Sequence, residues 1–494
     1  MKNLIAGLLF AAGGLGAEQT LGVINFPNSG SDAAQEDFLT GMALLHNFEY
    51  DDAATAFRRT QEADQGFGLA YWGEALTHYR PVWGRENIKE GKLALSRLTE
   101  ESRLTEREAE YVRAARVLFG EGSKEDRWRL YSEAMGDLYR SDSDDMEAAA
   151  LYAVSMFGTT GGTRDTRTYM RIAAVAEEVY RRNPDHPGAL HYLIHSFDDP
   201  VHAPLGLRYA RRYSKVASSA PHAQHMPSHI FLALGMWDEC VSSNIDSWNS
   251  SEARVKRLGL GTDSRGYHAM WWLQYAYLQQ GRLDEARRWL HVIADDARAS
   301  GSRLARSHHA YLRSHLMIEA ELWDAGLEEV DLDGIDGRAL GAYALAEGIA
   351  AVKTGRINAA KEWLGRLQTY SRENAGKAKS VPIAALELEG LLLLQNDPDR
   401  GVEKLRMAAE QEESTSYGYG PPFPAKPSHE LLGEALLSLG RAAEAAEAFS
   451  VSLLRAPRRA LSVVGLRDAA RAAGDSDTAA RMDRELRDIR ADAS

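Results

Sequence analysis

Apolar residues recur along most of the chain at three- and four-residue intervals, the spacing that gathers them on one face of an α-helix. TEREAEYVRAARVLF and WRLYSEAMGDLYR carry the pattern early, and SHHAYLRSHLMIEAELW and VPIAALELEGLLLLQ carry it late. No apolar/polar alternation persists long enough for a strand, so the pattern predicts an all-α chain. Gly, Pro, Asn and Asp punctuate the helices at positions that end one or start the next. Ser31 or Asp32 is placed to cap the first helix, with Gln35 or Glu36 close behind.

The helices pair, and the pairs repeat. Gly41, Ala53 and Phe57 mark small, small and aromatic positions in the first pair, and Ala75 lies 34 residues after Gly41. Gly281, Ala286 and Leu290, then Gly355 and Ala360, then Gly440, Ala445, Phe449 and Pro457 mark later pairs. A period of this length is one helix–turn–helix unit, and stacked units coil into a solenoid. The expected divisions are a signal peptide (1–17), an extended lead-in (18–32), helical hairpins (33–84), an irregular helical segment (85–170), a repeat array (171–412), a Gly/Pro/Tyr loop (413–427) and C-terminal repeat and capping helices (428–494). GTTGGTRDT (158–166) reads as a connector: it lacks the Lys-Ser/Thr of a phosphate loop and follows no strand.

The same period carries a second signal. Pro187, His191 and His195 are followed 34 residues later by Pro221, His225 and His229. Histidines four apart share a helix face, and two such helices one repeat apart are neighbours in the stack. Imidazoles bind Zn²⁺, Cu²⁺, Ni²⁺ or Fe²⁺, so His191, His195, His225 and His229 are the expected metal ligands. His222, Asp198, Asp199, His46, Glu74 and His268 are candidates for further ligands or for partners of the ligands' outer nitrogens. His315 falls where His229 does when Trp323 is registered on Trp237. Trp72, Trp271, Tyr275, Glu430 and Glu434 are expected to line a groove on the inner wall. No HExxH occurs, so a metalloprotease base is not built in.

HNFEYDDAATAF, AYWGEAL, HPGALHYLIHSFDDP and HAQHMPSHIF carry a resemblance. The chain resembles a tetratricopeptide-repeat protein, and more narrowly a family of bacterial exported proteins in which degenerate repeats fill nearly the whole chain. The resemblance implies a tetratricopeptide-like α-α superhelix whose concave face binds an extended peptide or protein segment. The narrower kinship implies a fold and no activity.

Composition narrows the alternatives. Of 494 residues, 44% are hydrophobic and 26% charged, so the chain can bury a core. A net charge of −13 argues against binding nucleic acid, whose phosphates it would repel. The single cysteine, Cys240, allows no intrachain disulfide and reads as a small buried residue. MKNLIAGLLFAAGGLGA joins a lysine to a short apolar run and small residues, the form of a secretory signal too short to span a bilayer. Export to the periplasm or medium follows, with no integral span after signal removal. No GxSxG, dinucleotide or Walker fingerprint is present.

Three readings result. The first is an exported scaffold that binds a peptide or protein partner and holds a transition metal (Zn, Cu or Fe) on its inner helices. The second is a metal-dependent hydrolase or oxidoreductase with an open coordination site and Asp198, Asp199 or Glu74 as base. The third is an assembly module without metal. The oligomeric state is left open by the sequence.

Overall fold

A computed structural model describes residues 20–491. The expected signal peptide lies outside the described residues. The rest is an all-α superhelix of antiparallel helix pairs, beginning with Asp32–His46 against Tyr50–Ala63 and ending with Ala460–Ala473 against Ser476–Ala491. Among the described residues, extended pairing is confined to Tyr79–Arg80 with Arg85–Glu86, a ladder too short to leave an alternating pattern in sequence. Within 85–170 four helices form, Ile88–Ser96, Glu106–Leu118, Lys124–Ser141 and Met146–Gly158. None of the helices described is long and apolar enough to cross a membrane.

Glycine and aromatic positions explain how the pairs stack. The Phe57 ring lies between Gly41 on its own hairpin and Gly73 on the next; a Cβ there would approach it to 2.8 and 2.4 Å. Phe449 repeats this between Gly433 and Gly465, at 2.9 and 2.2 Å. Only residues without a side chain allow helices so close around a ring, so the small/aromatic code is a packing code.

Two departures from the periodic expectation shape the interior. The second histidine helix is broken into Pro221–His225 and Pro227–Ala233. Pro227 lacks an N–H and crowds the carbonyl four residues back, so the helix restarts between His225 and His229. The superhelix also closes on itself. Asn47 donates from Nδ2 to the Leu21 carbonyl at 2.9 Å and accepts from the Tyr213 hydroxyl at 2.7 Å, tying the first hairpin to the histidine repeats. Arg254 clasps Asp52 with two bonds of 2.6 and 2.8 Å. At the far end, the Arg458 guanidinium donates to the Gly235 carbonyl at 3.0 Å, and the Ala460 N–H to Gln279 at 2.8 Å.

Closure makes core of what was expected to be groove. Trp72 is fully buried against Phe26 and Tyr111. Trp271 is stacked on Tyr311, with Phe423 of the 413–427 loop beside it. Tyr275 and Glu430 are both buried on Arg459. Glu434 stays partly exposed and pairs with Lys426. Trp72, Trp271 and Glu430 therefore line no groove: Phe26 and Tyr111 cover the first, Tyr311 and Phe423 the second, and Arg459 takes up the third, whereas Tyr275 is buried but still borders a cavity.

Arg459 is the fastening of that closure. It is fully buried and bonds Glu430 at 2.7 and 2.9 Å, Glu319 at 2.6 Å and the Tyr275 hydroxyl at 2.8 Å. Burial alone would raise the Glu430 carboxyl, but Arg459 and Lys426 outweigh it and hold it well below its ordinary 4.5. An Arg459→Leu variant leaves the buried Glu319 without a cation and Glu430 with Lys426 alone, and is expected to lose about 3–5 kcal/mol in urea unfolding. Because Glu430's pKa is lowered on folding, its contribution is full above pH 4.5 and declines as pH falls below that value, an expected slope in acid unfolding that Arg459→Leu reduces, Lys426 remaining in place.

Candidate metal centre

Helix Pro187–Ser196 presents His191 and His195 one turn apart, their ring centroids 5.0 Å from each other. His222 reaches them from the next repeat and His229 crosses from beyond the Pro227 break, with centroids 5.0 Å from His191 and 5.3 Å from His195 respectively. His225 lies 5.0 Å from His229, and His268, at the start of Tyr267–Gln279, lies 4.7 Å from His225. Six imidazoles thus form one continuous row. His191, His195, His225 and His229 are almost wholly buried, His222 is half-buried, and the His268 edge is open to solvent.

The outer nitrogens are already committed. His191 Nδ1 lies 2.8 Å from the carbonyl oxygen of His46, an acceptor, so Nδ1 carries the proton. His225 Nδ1 lies 2.6 Å from Asn244 Oδ1, whose amide nitrogen is engaged with the Cys240 carbonyl at 2.8 Å; that settles the amide's orientation and makes Nδ1 the donor. His229 Nδ1 donates to the Asp198 carboxylate. The Nε2 atoms of His191, His225 and His229 are left with their lone pairs, while nothing fixes the tautomer of His222. The Nε2 atoms meet in two couples, His191 with His222 and His225 with His229, each 3.2 Å apart. His195 is buried with neither ring nitrogen bonded.

In the His225–His229 couple two lone pairs face each other, and at that distance they require a proton or a metal ion between them; in the other couple His222 can donate to His191 or share an ion with it. Tetrahedral coordination at about 2.0–2.1 Å sets neighbouring nitrogens about 3.3–3.4 Å apart, close to what both couples show. Acceptors on the outer nitrogen orient the ring and raise its donor strength, as in metal-bound histidines. Burial, reinforced by neighbouring imidazoles, holds the pKa of His191, His195, His222 and His225 well below 6.5. His268 keeps solvent contact along one edge, yet the protein packed about it and then His229 bring it down to about 3. Neutral imidazole is the ligating form.

The walls are aromatic. Phe48 packs on His191 at 4.1 Å and adopts φ +59°, a strained backbone for a bulky residue at the edge of the site. Trp272 stands 4.4 Å from His229 and 4.9 Å from His225. Tyr419, from the 413–427 loop, covers His195 and His229 at 5.7 and 5.8 Å and bonds the Tyr169 hydroxyl at 2.8 Å. Beyond His229 a cavity of about 140 Å³ is bounded by Asp198, Trp237, Tyr275, His429 and Arg455.

Other expected site residues lie elsewhere. His46 contributes only its carbonyl; its ring bonds Glu147 at 2.8 Å and the Tyr192 hydroxyl at 2.7 Å, in a buried group completed by His186. Glu74 is held by Arg58, Arg97 and Gln61, away from the imidazoles, and is neither ligand nor base. Asp199 is taken by Arg164 and His202, so its carboxylate is not free for either role. Asp198 serves His229's outer nitrogen. His315 is buried near Trp271 and Tyr275, apart from the row.

Sequence reasoning missed Arg164, Asn244, Trp272 and Tyr419. Arg164 rises from the glycine-rich connector, donates to the His195 and Ser196 carbonyls at 3.2 and 2.7 Å, and so caps the first histidine helix. A cation beside the glycines was its only signal. Asn244 falls one helix after His225, with nothing local to mark it.

No family profile and no curated protein matches the sequence. Solved structures similar to this chain include Cut9 in the APC/C hetero-tetramer Cut9–Hcn1 (13% identity over 92% of this chain and 73% of that one, TM-score 0.37). Human IFIT1, in its dimer with m7Gppp-AAAA, shares 13% identity over 93% of this chain and 91% of that one, TM-score 0.38. Yeast Tom70 shares 12% over 92% of each, TM-score 0.28. Similarities at this level carry no argument about activity; the superhelix is read from the helix pairs themselves.

If the outer carboxylate orients a ligand, Asp198→Asn is expected to weaken metal binding 10–100-fold. Competition against a chromophoric chelator measures it, with unchanged helical circular dichroism as the folding control.

Proposed function

We propose that this protein is a helical-repeat scaffold whose closed interior holds a transition metal on histidines from successive repeats. The observation that carries the reading is the pair of Nε2 couples at 3.2 Å, with His191, His225 and His229 held through their Nδ1 atoms by acceptors outside the row. Imidazole donors suit Zn, Cu or Fe. Export, and kinship with bacterial exported repeat proteins, belong to the same proposal and rest on residues 1–17 and on the two histidine segments. A peptide or protein partner, which repeat architecture suits, would need surface outside the hollow, because Tyr419 and Phe423 already occupy the wall beside His229 and Trp271.

A metal-dependent enzyme is the second reading, and the cavity of about 140 Å³ beside His229 favours it. With Glu74 and Asp199 engaged elsewhere, Asp198 is the remaining carboxylate in contact with a ligand, acting on the His229 imidazole.

Elemental analysis of protein purified without a His-tag is expected to find Zn, Cu or Fe, and the variant lacking His191, His195, His225 and His229 to find none. Retention of the metal by a folded quadruple variant, or failure of the native chain to take up copper or zinc, overturns the reading. For the enzyme reading, azide is expected to shift the visible spectrum of the Cu²⁺-loaded protein; an unchanged spectrum denies an open position.

A further inference from the structure

Resting on the metal reading above, we infer that the hollow holds two transition-metal ions rather than one, each on its own three-histidine set. The first set is His191, His195 and His222; the second is His225, His229 and His268. Within each set the nitrogen atoms offered to an ion lie within 4.8 Å of one another. Each set joins an HxxxH pair to a histidine from another element; the first pair lies on one helix, and the second straddles the Pro227 break. Each contains one Nε2 couple at 3.2 Å, and the two couples share no residue.

One ion cannot use this donor set. Four-coordination takes four nitrogens at most, and a single ion drawn between the couples would leave two imidazoles without a partner. His195, buried with both ring nitrogens unbonded, would be left at the cost of a stranded polar group. Two ions place every imidazole. Each ion then has three protein donors and one position open, the arrangement of reactive rather than purely structural sites.

The two sets abut. His195 of the first and His229 of the second lie 5.3 Å apart by centroid, while Asp198 stays on the outer nitrogen of His229. At that separation of the rings, one small exogenous ligand is expected to reach both ions. Charge selects the metal. Six neutral imidazoles and one adjacent carboxylate, Asp198, surround the pair, while Asp199 is already neutralised by Arg164. Two monovalent ions leave less uncompensated buried charge than two divalent ones, and imidazole is a sound ligand for copper. That charge balance and the imidazole donors together select a copper(I) pair.

The test is an anaerobic titration of the full, untagged, metal-stripped protein with copper(I) against a chromophoric copper(I) chelator. Two equivalents are expected in the native chain. His222→Ala and His268→Ala are each expected to retain one, because each removes one ligand from a different set. Both residues have solvent contact, so neither substitution leaves a sealed core cavity. His315→Ala is expected to retain two. One equivalent in the native chain, or loss of both equivalents in a single variant that keeps native circular dichroism, overturns the two-ion assignment and leaves a single metal centre standing. No uptake of copper(I) or of zinc by the native chain overturns the metal reading as a whole.

Discussion

An imidazole has two nitrogens, and the interior of this protein depends on which one is already spoken for. The His46 carbonyl, Asn244 and Asp198 each accept a hydrogen bond from an outer nitrogen, and in doing so aim the inner lone pairs of His191, His225 and His229 into the row. Desolvation keeps His191 and His225 uncharged, since an imidazolium at either would lose water without gaining a counter-ion. Rings held from outside with their inner nitrogens opposed are a geometry that helix packing alone does not require. The backbone delivers the rings; the acceptors behind them decide what they can do.

Those acceptors come from distant parts of the chain. His46 lies in the first hairpin, Asp198 in the connector after the first histidine helix, Asn244 in the helix that follows the second. They meet because the superhelix winds tightly enough for its first hairpin to sit against the histidine repeats and for its last repeats to dock on the middle. Arg459 fastens the second contact through two carboxylates and a phenol. A more open coil of the same helix pairs would keep the local packing of Phe57 and Phe449 and lose the hollow.

This division also explains what the sequence discloses. The all-α class, the paired helices and the two HxxxH motifs are legible because they are periodic, and period is a local property. His222 and His268 stand out as neighbours of the motif in sequence or of an aromatic run. Trp72, Trp271 and Tyr275 mislead because an inner-wall position in an open solenoid faces solvent, whereas here the chain supplies its own filling. Asp199 misleads for a related reason: its partner, Arg164, sits in a connector whose glycines draw attention away from it. Pro227 is plainly visible, yet a proline inside an apolar run does not say whether the helix bends or ends. Asn244 as His225's partner is a contact between successive helices whose register no periodicity prints.

Tyr419 seals the histidine row from a loop that lies far toward the C-terminus, while all six imidazoles lie before residue 270. A nascent chain therefore carries every donor long before it carries the lid. During synthesis the donors are accessible to solvent and to any ion carrier. Once the last repeats dock, exchange with the surroundings must pass the His222 or His268 edge or wait for the loop to lift. Order of assembly, as much as affinity, would then govern what becomes trapped inside.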